Sequence, residues 1–213
     1  MLTSVISFFQ KGGPFMYPIL LVLAIGVAIA IERYIYLTVS RSNNRRILGK
    51  LMPLLQKGDF QQAYNLTAKS RSAISQMLSQ GIARMKSASS RDEIETAMEE
   101  SMMETIPRLE KRTHYLAMFA NIATLLGLLG TIIGLIKAFT AVAQVDPSMK
   151  AEILSTSISV AMNTTAFGLM VAIPLIFIYT VLQTKTTEIV DSLEMATVKF
   201  ANLIMQRKNI SGS

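Results

Sequence analysis

Two long apolar stretches, residues 116–142 and 157–183, limit what this chain can become. Each runs about 25 residues, and about 20 helical residues cross the hydrocarbon core of a bilayer. Inside a bilayer every backbone N–H and C=O needs a partner, which leaves helices or closed barrels. Barrel strands alternate apolar and polar residues, and these stretches do not. The sequence therefore predicts an all-α integral membrane protein. Residues 16–38 form a further apolar run, giving three transmembrane helices and a cytoplasmic helical region between the first two.

Composition agrees where it matters. Hydrophobic residues make up 51% of 213, with a mean hydropathy of +0.40, which is high for a soluble domain. There is no cysteine and one histidine, His114, so a disulfide framework, a Cys-ligated metal and a multi-His site within one chain are excluded. No nucleophile–base pair appears, and the chain reads as no enzyme. Net charge is +7, and 13 of the 21 Lys and Arg residues fall between Arg41 and Arg112. That block sits between membrane segments, so the preference of cytoplasmic loops for Lys and Arg accounts for it without nucleic acid.

The layout expected in chain order is as follows. Residues 1–15 are an N-terminal interfacial segment, with 4–9 as its helix and no cleaved signal peptide. Residues 16–38 span, with Glu32 and Arg33 as interface anchors beside Tyr34 and Tyr36. Residues 39–115 are cytoplasmic and helical. Gly58-Asp59 reads there as a helix stop followed by an N-cap. Ser90 opens a capping box, and Pro107 should kink a helix that runs on into Leu116 as a rod. Residues 116–142 span again, 143–156 are a loop on the outer side, and 157–183 span a third time, bent at Pro174. Residues 184–213 form a cytoplasmic amphipathic helix and tail, with Ile189, Leu193, Val198 and Leu203 as its apolar side. The N-terminus is then outside and the C-terminus cytoplasmic.

The second and third spans each gather small and hydroxyl residues on one face. Ala120, Thr124, Gly127, Thr131 and Gly134 recur at three- and four-residue steps, as do Ala161, Thr165, Gly168 and Ala172, and Gly130-x-x-x-Gly134 is a close-packing pattern. Small residues let helices approach closely, so the glycines and alanines are assigned to helix packing and to the wall of a lumen. The hydroxyls and amide of Thr131, Asn163, Thr164 and Thr165 are candidate ion-pathway groups. A phosphate loop is excluded, because no Gly-Lys-Ser/Thr follows the glycines.

Three spans, a large insertion after the first, and the runs Gly127-Leu-Leu-Gly-Thr-Ile-Ile-Gly134 and Thr165-Ala-Phe-Gly-Leu169 with Ala172-Ile-Pro174 resemble the ExbB/TolQ/MotA proton-channel family, and its three-span ExbB/TolQ branch in particular. The resemblance implies an ion-driven motor subunit in a bacterial inner membrane. It implies a homopentamer around two copies of a single-span ExbD/TolR/MotB-like partner that supplies a membrane-embedded aspartate. Force would pass to the periplasm, in some members through a TonB- or TolA-like protein. The residues agree with this in one respect: neither 116–142 nor 157–183 contains a carboxylate, so an ion path there needs one from elsewhere.

Val160 stands where ExbB-like members carry a glutamate. Neutral oxygens remain, and neutral oxygens plus a partner carboxylate suit sodium as well as protons. The transported ion is therefore H+ or Na+, with transient sodium at Thr131 and Thr165, no structural metal and no cofactor. The alternatives are a passive helical scaffold, in which the small-residue faces only pack, or a small-solute secondary transporter. The latter wants a charged midplane residue or broken helices.

Overall fold

The computed structural model describes residues 12–85, 88 and 90–211. The interfacial helix expected over residues 4–9 and the last two residues of the tail lie outside the described residues. The described residues are 91% helical, and there is no strand among them. Among the described residues six helices follow in order: α1 (Met16–Lys57), α2 (Phe60–Ala68), α3 (Ala73–Met85), α4 (Arg91–Glu110), α5 (Thr113–Val142) and α6 (Pro147–Ser211). Among the described residues three stretches are long and apolar enough to cross a membrane: Met16–Lys57, Arg91–Val142 and Pro147–Gln206.

Contacts divide the chain into two units, to both of which α1 and α6 contribute residues. The first holds residues up to Glu32 together with Arg112–Val181. Small side chains make up much of its interior, with Ala120, Ala123, Ala161 and Ala172 buried beside Met16, Ile19, Leu116 and Leu175. Many of its large apolar residues point outward: Leu125, Ile136 and Phe139 on α5 and Met170, Ile173 and Phe177 on α6 are exposed. A soluble protein reverses this order. Contiguous exposed apolar surface of this kind requires an apolar surrounding, and a core of small residues is how helices associate in lipid.

The second unit, Arg33–Lys111 with Leu182–Ser213, has the opposite organisation. Large side chains are inside, among them Leu51, Leu55, Ile74, Met77, Met98 and Phe200. At Gly81 of α3 a Cβ would lie 2.7 Å from Met98 Sδ and 2.9 Å from Phe200 Cε1, so α3, α4 and α6 meet there. Thr197 of α6 directs its hydroxyl at Met77 Sδ (3.2 Å) and Met102 Sδ (3.7 Å) in the same core.

The caps follow the sequence. Gly58 takes φ +84 after α1 ends at Lys57, and Asp59 accepts from the Gln62 N–H at 3.0 Å to open α2. Ser90 accepts from the Glu93 N–H at 3.4 Å to open α4, with Asp92 and Glu93 in its first turn. Acidic groups there favour the positive end of the helix dipole.

Four expectations are corrected. The rod from α4 to Leu116 is broken: α4 ends at Glu110, Lys111 is non-helical and Arg112 takes φ 65. Pro107 sits within α4, so the stop comes four residues after it. The loop shrinks to 143–146, because α6 begins at Pro147. Proline lacks the N–H that a first helical position leaves unpaired, and its fixed φ suits that position. The Met149 N–H bonds the Asp146 carbonyl at 3.0 Å to start the helix. The apolar side of the last segment is Ile189, Leu193, Ala196, Phe200 and Ile204, while Val198 is exposed. Arg33 is buried rather than solvated: it donates to the Leu109 carbonyl and lies 4.6 Å from the Tyr36 ring centroid. Its neighbour Glu32 pairs with Arg112 at 3.2 Å.

Candidate ion-pathway site

The site grows from the glycines of α5. A Cβ at Gly127 would lie 3.2 Å from the Thr165 Cα and 3.4 Å from the Gly168 Cα. One at Gly130 would strike the Thr164 methyl at 2.4 Å, and one at Gly134 the Ala161 Cβ at 2.9 Å. One at Gly168 would lie 2.7 Å from the Ala123 carbonyl oxygen. Advancing along α5 thus meets α6 in reverse order, so the two helices are antiparallel with touching backbones. Every glycine and alanine of the sequence-derived stripes except Ala120 and Ala172 enters this seam, and those two are buried elsewhere on α5 and α6. In a single chain the seam residues cover one another.

The close approach sets two hydroxyls side by side. Thr165 donates to the Gly127 carbonyl across the seam at 2.9 Å, and its oxygen stands 3.4 Å from that of Thr131. Thr131 donates to the Leu128 carbonyl on its own helix at 2.6 Å. A threonine hydroxyl has one proton and two lone pairs. With both protons directed at backbone carbonyls, lone pairs are what the two oxygens offer to anything else. Both residues are half-buried at the margin of the seam.

The other two candidates go elsewhere. Thr164 is 2% exposed and donates to the Gly12 carbonyl at 2.6 Å, with Val160 O at 3.1 Å. Asn163 is half-buried, two positions from Thr165 and hence on a different face of α6. The four residues therefore do not converge within one chain; Thr131 and Thr165 do.

One feature was missed from sequence. The Gly12-Gly13 turn packs on α6: Gly13 has φ +77, and a Cβ on it would lie 3.3 Å from Val160 Cγ1. Thr164 thus fastens a carbonyl that a membrane environment would leave without water. The paired glycines were the available signal.

The described residues hold no group of three or more His, Cys, Asp or Glu placed to bind a metal. Comparison with known proteins places this geometry in context. A model of the MotA/TolQ/ExbB proton channel family matches residues 69–195, more than half of the chain and all of the Thr131–Thr165 seam. A biopolymer transport protein ExbB homolog from Methanothermobacter thermautotrophicus is 28% identical over 194 residues, covering 90% of this chain and 67% of that protein. The biopolymer transport protein exbB1 of Vibrio cholerae is 46% identical over 59 residues, which cover 28% of this chain and 26% of that one.

Proposed function

Since the chain belongs to the MotA/TolQ/ExbB proton channel family, we propose that it is the channel-forming subunit of a motor driven by the ion gradient across the bacterial inner membrane. It assembles as a homo-oligomer, a pentamer by family resemblance, around two copies of a single-span ExbD/TolR/MotB-like partner. Residues 16–38, 116–142 and 157–183 span the bilayer, with the N-terminus periplasmic and the C-terminus cytoplasmic. Energy passes to the periplasm or outer membrane, in keeping with the biopolymer transport named for both relatives.

The observation that carries the mechanism is the Thr131–Thr165 pair. It offers lone pairs within helices that bring no carboxylate of their own. A carboxylate on the partner completes a site that attracts a cation and discharges it as the partner moves. One charge crossing 100 mV yields about 2.3 kcal/mol before any concentration gradient is counted. The carried ion is H+ or Na+, and Val160 in place of a titratable group favours including sodium. Thr164 serves the Gly12 turn, and Asn163 is the residue through which a second face of α6 would contribute.

The experiment is ion flux in proteoliposomes containing this chain and the single-span protein that co-purifies with it, with sodium varied at fixed pH. Thr165→Val is expected to abolish flux and Thr165→Ser to retain most of it, because serine keeps the oxygen. Thr131 should behave alike. Equal flux in Thr165→Val and wild type would reduce the pair to helix packing and leave the scaffold reading. Flux that ignores sodium and stops with a protonophore would assign protons.

A further inference from the structure

Two exposed stripes in the second unit carry opposite charge. On α1 the stripe is Val39, Asn43, Arg46 and Lys50; on α4 it is Asp92, Thr96, Glu99 and Met103. Each advances by steps of four, three and four residues, which keeps it on one helix face and matches the spacing by which helices pack along one another. Val39 is 61% exposed and Met103 72%. Arg41 pairs with Glu188, Arg91 with Glu95 and Arg112 with Glu32, and Arg46, Lys50, Asp92 and Glu99 take no part in these pairs. Glu100 and Glu104 adjoin the α4 stripe at an i,i+4 spacing, where like charges repel. Within one chain Arg84 and Arg91 stand among these carboxylates, which outnumber them.

The stripes also match in height. Thr38 meets Lys185 and Arg41 meets Glu188, so α1 and α6 run parallel here. Thr197 meets Met102, while Phe200 and Met98 meet at Gly81, so α4 runs the other way. Counted from the Arg33–Leu109 contact, Arg46 lies level with residue 96 and Lys50 with residue 92. Counted through α6, they lie level with residues 106 and 102. The two counts differ by ten residues and bracket Glu99 for each cation, and the first sets Val39 level with Met103. Beside Met103 lies a groove of about 470 Å³, lined by Glu99, Ile106 and Val198 among others. In a ring whose axis follows these helices, neighbouring copies meet at equal heights.

We propose that the Val39–Arg46–Lys50 stripe of one copy docks on the Asp92–Glu99–Met103 stripe of the next copy of this chain, head to tail around the ring. A contact between two different faces builds a ring where its rotation closes, and not a two-fold dimer. The proposal rests on the homo-oligomer reading above and adds which faces meet.

The absence of cysteine makes the test clean. Arg46→Cys in one tagged copy and Glu99→Cys in a second, co-expressed and treated with a short bismaleimide, should give a link between the two tags. The 46–46 and 99–99 links should be absent. Separately, Arg46→Glu with Lys50→Glu should lower the assembled fraction in native mass spectrometry at low salt by roughly tenfold, equivalent to ~1.4 kcal/mol. Adding Asp92→Lys and Glu99→Lys to the same chain should restore it, which also shows that the fold is intact. Same-site links in place of mixed ones, or assembly indifferent to charge reversal, would overturn the docking while leaving the oligomer standing. Wild-type protein that stays monomeric in mild detergent, with and without its partner, would overturn both.

Discussion

Substituting Gly168 by alanine places a methyl group 2.7 Å from the Ala123 carbonyl oxygen and 3.1 Å from the Gly127 Cα. Both are backbone atoms of α5, so no rotamer change makes room. Ordinary contact begins near 3.4 Å, and α5 and α6 must part locally by about 0.7 Å. The same displacement carries the 2.9 Å bond from Thr165 to the Gly127 carbonyl beyond hydrogen-bonding distance. Overpacking costs about 1–3 kcal/mol, and the lost bond about 1 more. Alanine's better helix propensity offsets ~0.5–1 of this. The net expectation is a loss of about 2 kcal/mol, roughly thirtyfold in the folding equilibrium. Gly49→Ala is the control, since a Cβ there meets nothing within 4 Å and gains only propensity. The assay is unfolding by SDS in mixed micelles, followed by near-ultraviolet circular dichroism. Gly168→Ala should unfold at clearly lower SDS than wild type, and Gly49→Ala should not. A Gly168→Ala protein as stable as wild type would refute the seam as described.

Gly130→Ala should also destabilise, but its obstacle is the Thr164 methyl at 2.4 Å, a side-chain atom. Combining it with Thr164→Ser, which removes that methyl and keeps the hydroxyl on Gly12, should recover ~1 kcal/mol relative to the single variant in the same titration. Asp59→Ala removes the acceptor for the Gln62 N–H. It should cost about 1 kcal/mol, seen as faster amide exchange across Phe60–Ala68 with α5 unchanged. For orientation, a cysteine at exposed Ser148 should label from outside intact cells, and one at exposed Gln61 only after permeabilisation. The opposite pattern would invert the topology.

Much of the fold was legible in the sequence because it is written in local chemistry. Gly58-Asp59 could only end one helix and start another, and Ser90 followed by Glu93 could hardly be anything but a cap. The glycine steps announced a close helix pair before its partner was known. What was misread depends on neighbours. Residues 147–156 looked like loop because of their polarity, although Met149, Lys150, Ala151 and Glu152 are sound helix formers behind a proline. The positive φ at Arg112 had no glycine to signal it. Arg33 has the composition of an interface anchor, and its burial against the Leu109 carbonyl is a tertiary fact. At the candidate site, pattern located Thr131 and Thr165 but could not separate them from Thr164. That distinction depended on a Gly12 carbonyl 152 residues away.

The paired hydroxyls have a consequence for what they would refuse. Thr165 spends its proton on Gly127 and Thr131 spends its own on Leu128, so both turn electron-rich surface toward any visitor. Chloride or phosphate would meet repulsion there, although no formal negative charge is present. Neither group titrates in the range where cells live, so this discrimination by sign should hold from acid to alkaline conditions. In the proposed assembly a dependence of transport on acidity is then assigned to the partner's carboxylate, and removing that carboxylate should abolish the dependence while the bias against anions survives.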